Sequence, residues 1–202
     1  MYINNLHILK LMKNLILVLF FVMFLFPAFS VAQNTISPER KMAIDTLALE
    51  KVRDLSKYIS IIGDGNTPFS EADRVIKRAL ELFADGAQMG VSSVSDNSVQ
   101  YYLIRDYFDR LMMLNYDQVT IEWFNIQYVS DLELQPDGRY VGIITIYQKF
   151  EGRTGDNLVY VDVTKKDITV YVERKQTQIA GNIIEFWDVL LGDIRVTETR
   201  RQ

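Results

Sequence analysis

Apolar residues recur at three-to-four spacing at Ile44, Ala48, Val52, Leu55, Ile59 and Ile62. That period lays them along one face of an α-helix. Ser37-Pro38-Glu39 precedes them with a hydroxyl cap, a proline at the first helical position and an acid in the first turn. The spacing predicts a helix over residues 38–62, ended by Gly63-Asp64-Gly65-Asn66 and Pro68. A second helix is expected from Ser70, with Asp73 as a short-armed capping box. Val75, Ile76, Ala79, Leu80 and Phe83 form its buried side, and it stops near Asp85-Gly86. Gln88-Met89-Gly90-Val91-Ser92 reads as a short edge strand within an ambiguous stretch, residues 87–94. Asp96-Asn97-Ser98 then offers caps for a third helix, with Val99, Leu103, Tyr107, Leu111 and Leu114 at helical spacing and Asn115 as its stop.

From residue 117 the apolar period falls to two, the period of strands. Val119, Ile121 and Trp123 alternate, and then the phase moves to Phe124, Ile126 and Tyr128. A β-bulge near Trp123-Phe124 accounts for the switch. Gln135-Pro136-Asp137-Gly138 is a type I turn into a strand over residues 140–150, apolar on both faces and so covered on both for part of its length. Residues 151–157 form a polar loop.

Val159-Tyr160-Val161-Asp162-Val163 and Ile168-Thr169-Val170-Tyr171-Val172 read as a hairpin folded about Lys165-Lys166. Val159, Val161 and Val163 would face Val172, Val170 and Ile168, and a slip of one residue would destroy the pattern. Tyr160, Asp162 and Tyr171 would share the other, solvent-exposed face. Ala180-Gly181-Asn182 turns into a last strand over residues 183–191, interrupted by Gly192-Asp193 before Ile194 and Val196.

Residues 1–32 alter this picture. Met12-Lys13-Asn14 is a basic start, and an unbroken apolar run over residues 15–26 leads to Pro27 and then Ser30-Val31-Ala32. This layout is that of a secretory signal peptide cleaved after Ala32. The apolar run of about a dozen residues falls short of the ~20 that span a bilayer. Export to the periplasm or the cell exterior is expected, with no stable membrane anchor after cleavage. The domain plan is then a leader (1–32), a flexible mature N-terminus (33–37), a single domain (38–197) and a frayed tail (198–202). Cleavage removes His7, Lys10 and Lys13, the first of these the only histidine. It leaves 20 basic side chains against 26 acidic ones. Such an acidic product has no electrostatic reason to bind nucleic acid. With no cysteine in the chain, disulfides and thiolate chemistry are excluded.

The order of helices, a short strand after the second helix, and then a bent antiparallel meander resembles the nuclear transport factor two-like superfamily. Ketosteroid isomerase-like and polyketide cyclase-like proteins belong there too. The resemblance covers residues 42–196. It is carried by Ala79-Leu80-Glu81-Leu82-Phe83-Ala84-Asp85-Gly86-Ala87, by residues 102–114, by Val159-Tyr160-Val161-Asp162-Val163 and by Phe186-Trp187-Asp188-Val189. It implies an α+β cone of cystatin-like type, with three N-terminal helices packed on a bent antiparallel sheet. It also implies dimerisation through the sheet. Ketosteroid isomerase-like enzymes use an aspartate as proton shuttle, with a tyrosine and a protonated aspartate as oxyanion donors.

Without histidine or cysteine the mature chain has no Ser-His-Asp or Cys-His system and no imidazole zinc site. Phosphate-binding glycine loops are missing, and Gly63-Asp64-Gly65-Asn66 lacks the later ligands of a calcium loop. No metal or cofactor is expected. What remains is carboxylate, tyrosine and aromatic chemistry. The candidate ligand-binding or interface residues are Trp123, Tyr128, Tyr147, Tyr160, Asp162, Tyr171, Trp187 and Asp188, with none assigned as catalytic. Phe124 and Phe186 are further aromatics of the sheet, and Lys149, Arg153, Lys165, Lys166, Arg174 and Lys175 read as charges that keep strand ends soluble. The expectation is an exported, non-catalytic binding or assembly module. It would dock a protein partner, a second copy or a small apolar ligand, through the cone cavity or the open sheet face. The alternative is an Asp/Tyr-dependent isomerase-like or cyclase-like enzyme.

Overall fold

The computed structural model describes residues 36–93, 96–128 and 130–201. The expected leader, its cleavage site and most of the mature N-terminus lie outside the described residues. The fold is α+β, with three helices and a mixed seven-stranded sheet. In chain order the elements are α1 (Pro38–Gly63), α2 (Phe69–Leu80), β1 (Gln88–Ser93), β2 (Asp96–Leu103), α3 (Ile104–Met112), β3 (Gln118–Tyr128), β4 (Glu133–Leu134), β5 (Tyr140–Thr154), β6 (Asn157–Ile179) and β7 (Asn182–Arg201). The sheet order is β2-β1-β7-β6-β5-β3, with β4 paired to β5. Among the described strand pairs only β1–β7 is parallel, and Phe83 makes an isolated parallel bridge to Leu191.

Helix α1 forms as its pattern predicts. Ser37 Oγ accepts the Arg40 amide at 3.3 Å, Pro38 opens the helix, and the six stripe residues from Ile44 to Ile62 are buried. The stripe packs on β3, β7 and α2. At its end Asp64 Oδ1 accepts the Asn66 amide at 3.0 Å, so the carboxylate that suggests a calcium loop serves a turn. Helix α2 begins at Phe69 behind Pro68 without a side-chain cap. Asp73 pairs with Lys77 at 2.7 Å instead of closing a capping box.

Three expectations are corrected. The third helix is shorter, because residues 96–103 form β2 and pair antiparallel with β1. The helical spacing of Val99 and Leu103 runs on by coincidence from α3, and a paired strand satisfies backbone groups that the expected N-cap would have left to a longer helix. β1 is therefore not an edge strand, since it lies between β2 and β7. The second correction is that β7 runs through Gly192-Asp193 and on to Arg201. A register shift opposite residues 168–170 absorbs the irregularity, and residues 198–201 are not a frayed tail but pair with residues 162–165 of β6.

The third correction matters most. No hairpin forms at Lys165-Lys166, because β6 is one continuous strand of 23 residues. Thr164-Lys165-Lys166-Asp167 holds no glycine, proline or asparagine to supply a turn. It is flanked on both sides by long partners: the β5 ladder runs straight through it, and β7 stays paired on either side of a register shift between Lys165 and Lys166. Alternation therefore puts Asp162, Thr164 and Lys166 on the same buried face as Ile168, Val170 and Val172. Val159 is 58% exposed, and Val161 and Val163 point to the other face. The expected β3 bulge is present one step later than predicted: the register shifts between Phe124 and Gln127, and Asn125 takes φ 49°.

Inserting one alanine between Lys165 and Lys166 would turn every later β6 side chain to the opposite face. Loss of the cooperative thermal transition in circular dichroism is expected. A tolerated insertion would instead reveal a turn there.

Candidate functional site

The buried face of the sheet is built from even-numbered residues of β5 and β6. Gln148 pairs with Thr164, Ile146 with Lys166, Phe150 with Asp162, and Gly152 with Tyr160. Toward the β5–β6 connection this face is not filled by α1. Between it, β1, β2 and α3 lies a cavity of about 420 Å³, partly open to solvent. Val91, Leu111, Leu114, Ile121 and Phe150 supply apolar walls. Tyr102, Tyr107, Arg110 and Tyr116 contribute from β2, α3 and the segment after it. Gly152 is required at this end: a Cβ there would sit 2.6 Å from the Tyr116 ring, which packs edge-on against Phe150.

One strand carries the polar groups. Tyr160, Asp162, Thr164 and Lys166 all line the cavity from β6. Asp162 is 4% exposed, and Tyr160 donates its phenolic proton to Asp162 Oδ2 at 2.6 Å. Burial pushes the Asp162 carboxyl above its usual range, against the opposing pull of the Tyr160 hydroxyl, the Lys166 charge and the Thr164 hydroxyl. Lys166 is 2% exposed. Its only hydrogen bond among the described residues goes to Met89 Sδ at 3.6 Å, and it forms no ion pair there. Burial brings its amine down to about 8, with the nearby Asp162 charge acting the other way. Asp162 and Lys166 stand four residues apart on one face of a strand, ~13 Å along the backbone. Thr164 stands between them on the same face, and all three side chains border the cavity.

The supporting groups are held firmly. Gln148 accepts the Trp123 indole N–H at 3.1 Å, and Arg110 lies over the Tyr102 ring at 4.3 Å. Ser92, Thr199 and Thr164 link hydroxyl to hydroxyl across β1, β7 and β6. Tyr107 is buried, and desolvation raises its phenol well above the usual value. No cluster of described residues has the makeup of a metal site. Among the described helices none is long and apolar enough to cross a membrane.

The eight candidate residues are not brought together. Tyr160 and Asp162 line the cavity, which corrects their expected place on an exposed face with Tyr171. Tyr171 lies on the opposite face, where Arg139 covers its ring at 4.7 Å. Tyr147 stacks on Phe124 at 5.7 Å on that face too. Trp123 is buried beside the cavity through Gln148. Trp187 packs edge-on against Tyr140 at 5.7 Å, and Asp188 is ion-paired with Lys175 at 2.6 Å. The side chain of Tyr128 lies outside the described residues. Lys166, Thr164, Gln148 and Arg110 were missed as site residues. The available signal was weak: residues 164–167 hold Asp167 but no glycine, proline or asparagine, and pairing with β5 and β7 is what keeps the strand continuous and turns Lys166 inward.

No known family matches the sequence, and no curated protein matches it. Two solved structures are similar to it. A protein assigned as a scytalone dehydratase, from Novosphingobium aromaticivorans, shares 13% identity with a TM-score of 0.39, covering 80% of this chain and 90% of its own. A hexachlorocyclohexane dehydrochlorinase (LinA) of type 2 shares 14% identity with a TM-score of 0.39, covering 80% of this chain and 93% of its own.

Between pH about 8 and the ordinary lysine value of 10.5, the folded state holds fewer protons at Lys166 than the unfolded state. Stability therefore rises with pH through that window, and below it the fold carries the full cost of a buried ammonium. Lys166→Met should stabilise the protein at neutral pH by roughly 2–3 kcal/mol. In denaturant titrations the gain should fade as the pH rises from about 8 to 10.5. An equal gain at every pH would contradict a titrating buried amine.

Proposed function

We propose that this protein is an exported small-molecule binder of the cone-fold, nuclear transport factor two-like type. It holds a small, mainly apolar molecule between α3 and the inner face of the sheet. The observation that carries this reading is the cavity itself, about 420 Å³, with apolar walls and a short polar row on one strand. Binding sites for small molecules have this makeup: a concave, mostly apolar pocket with a few convergent polar groups that set orientation.

One observation favours a second reading. Asp162 is buried, its carboxyl is pushed upward, and a tyrosine hydroxyl donates to it. An acid in an apolar pocket, poised to give or take a proton, is what an isomerase-like or cyclase-like enzyme would need. The outer sheet face, with Phe124, Tyr147 and Tyr171, is the surface we assign to a protein partner or a second copy of the chain. Rings on such a face can anchor an interface. Export rests on the layout of residues 1–32, with cleavage after Ala32. Mass spectrometry of the mature protein is expected to find Gln33 first, and a retained Leu15 would refute cleavage.

The cavity reading is tested with naphthalenemethanol, a compact apolar alcohol. Saturable binding is expected by calorimetry, weakened about tenfold or more by Val91→Trp, which fills the cavity from β1. A wild-type protein that takes up none of it, or a filled variant that binds equally well, would overturn this reading.

A further inference from the structure

Lys166 is the one cation of the cavity wall with no partner suited to an ammonium ion. It is almost wholly buried, and its described hydrogen bond is to a thioether, a weak acceptor. Arg110, the other cationic group of the wall, is spent on the Tyr102 ring. A lysine kept in this setting costs stability, and the carboxylate of the same strand face does not come within ion-pair distance. A role in anchoring an anionic ligand fits poorly, because Asp162 already places one acid in the same small space. A neutral ligand with an electrophilic carbon fits both groups.

We propose that Lys166 is a nucleophilic amine that captures an apolar aldehyde or ketone as a Schiff base, with Asp162 as the acid that completes the step. This rests on the cavity being the ligand site. The lone pair of Nζ attacks the carbonyl carbon, a C–N bond forms, and the amine's proton passes to the carbonyl oxygen to give a carbinolamine. Its hydroxyl then leaves as water with a proton from Asp162, and the nitrogen lone pair closes the C=N bond as an iminium ion. Asp162 is left as a carboxylate facing that positive charge, and Tyr160 keeps its hydrogen bond to it. No oxidant or metal is needed. Deprotonated lysines desolvated in apolar pockets are the form in which amines act as nucleophiles. The titratable groups facing the amine across the cavity are Tyr102, Tyr107, Arg110, Tyr116, Tyr160 and Asp162. Asp162 is the acid among them.

The mature protein is incubated with naphthaldehyde and cyanoborohydride, and adducts are located by peptide mass mapping. Lys166 should be modified first. The rate should be half-maximal near pH 8, whereas ordinary surface lysines titrate near 10.4. Lys166→Met should abolish the adduct, and Lys165→Met, on the other face, should leave it in place. Asp162→Asn should slow it on the order of 100-fold. If naphthalenemethanol binds but Lys166 is modified no faster than surface lysines, the nucleophile is overturned and the cavity reading stands. If the alcohol does not bind and adducts scatter over the surface, both are overturned. The pH profile separates a reacting amine from a merely structural one, and circular dichroism of each variant confirms that it is folded.

Discussion

The pairing of β6 with β5, unbroken from Tyr160 to Val172, and with β7 on its other side governs the rest of this molecule. A strand alternates its side chains between two faces, so once the ladder runs without a break every assignment along it follows from one position. Val170 and Ile168 are core, so Lys166, Thr164 and Asp162 must point the same way. No residue of α1 lines the cavity over this part of the strand. Polar residues on its inner face therefore end in a cavity instead of a packed core. Had the chain turned at Lys165-Lys166, the same residues would be a solvated loop and a surface aspartate.

This arrangement carries a cost. A carboxyl and an amine are withdrawn from water on one strand without forming an ion pair, and each responds by shifting toward its neutral form. Hydrophobic residues of similar size would make a more stable sheet. Both groups are desolvated, one is tied to a tyrosine hydroxyl, and both border the same cavity. That combination gives the buried polar row a chemical meaning, where an isolated buried lysine would only be a destabilising feature. The rest of the wall is stiff. Gln148 is held by Trp123, Tyr116 sits against Gly152, and Arg110 lies on Tyr102. The pocket is thus formed before any ligand arrives.

Helix α1 was legible because its signals are local and agree. A capping serine, a proline at the first position and six apolar residues at one period all point to the same element. The β3 bulge was legible too, since a change of apolar phase in a strand has few other causes. Residues 96–103 were misread because Val99 and Leu103 sit at helical spacing from Tyr107, while what holds them in a strand is pairing with β1. The candidate site was half legible. Asp162 and Tyr160 were visible as an acid and a phenol two residues apart, but their face was assigned from a turn that does not form. Lys166 was read as a surface charge, since a lysine's burial cannot be seen in its type.

The amino-acid sequence by itself determined the α+β class, the long first helix and its buried stripe, the acidic balance and the exclusion of thiol chemistry. These depend on composition or on periodicity within one element. Tertiary structure alone decided where β6 continues, which face its polar residues occupy, and that a cavity lies over them. Those outcomes depend on partners far away in the chain. A run such as Thr164-Lys165-Lys166-Asp167 has no preference strong enough to choose between strand and loop, and the ladders of β5 and β7 choose for it.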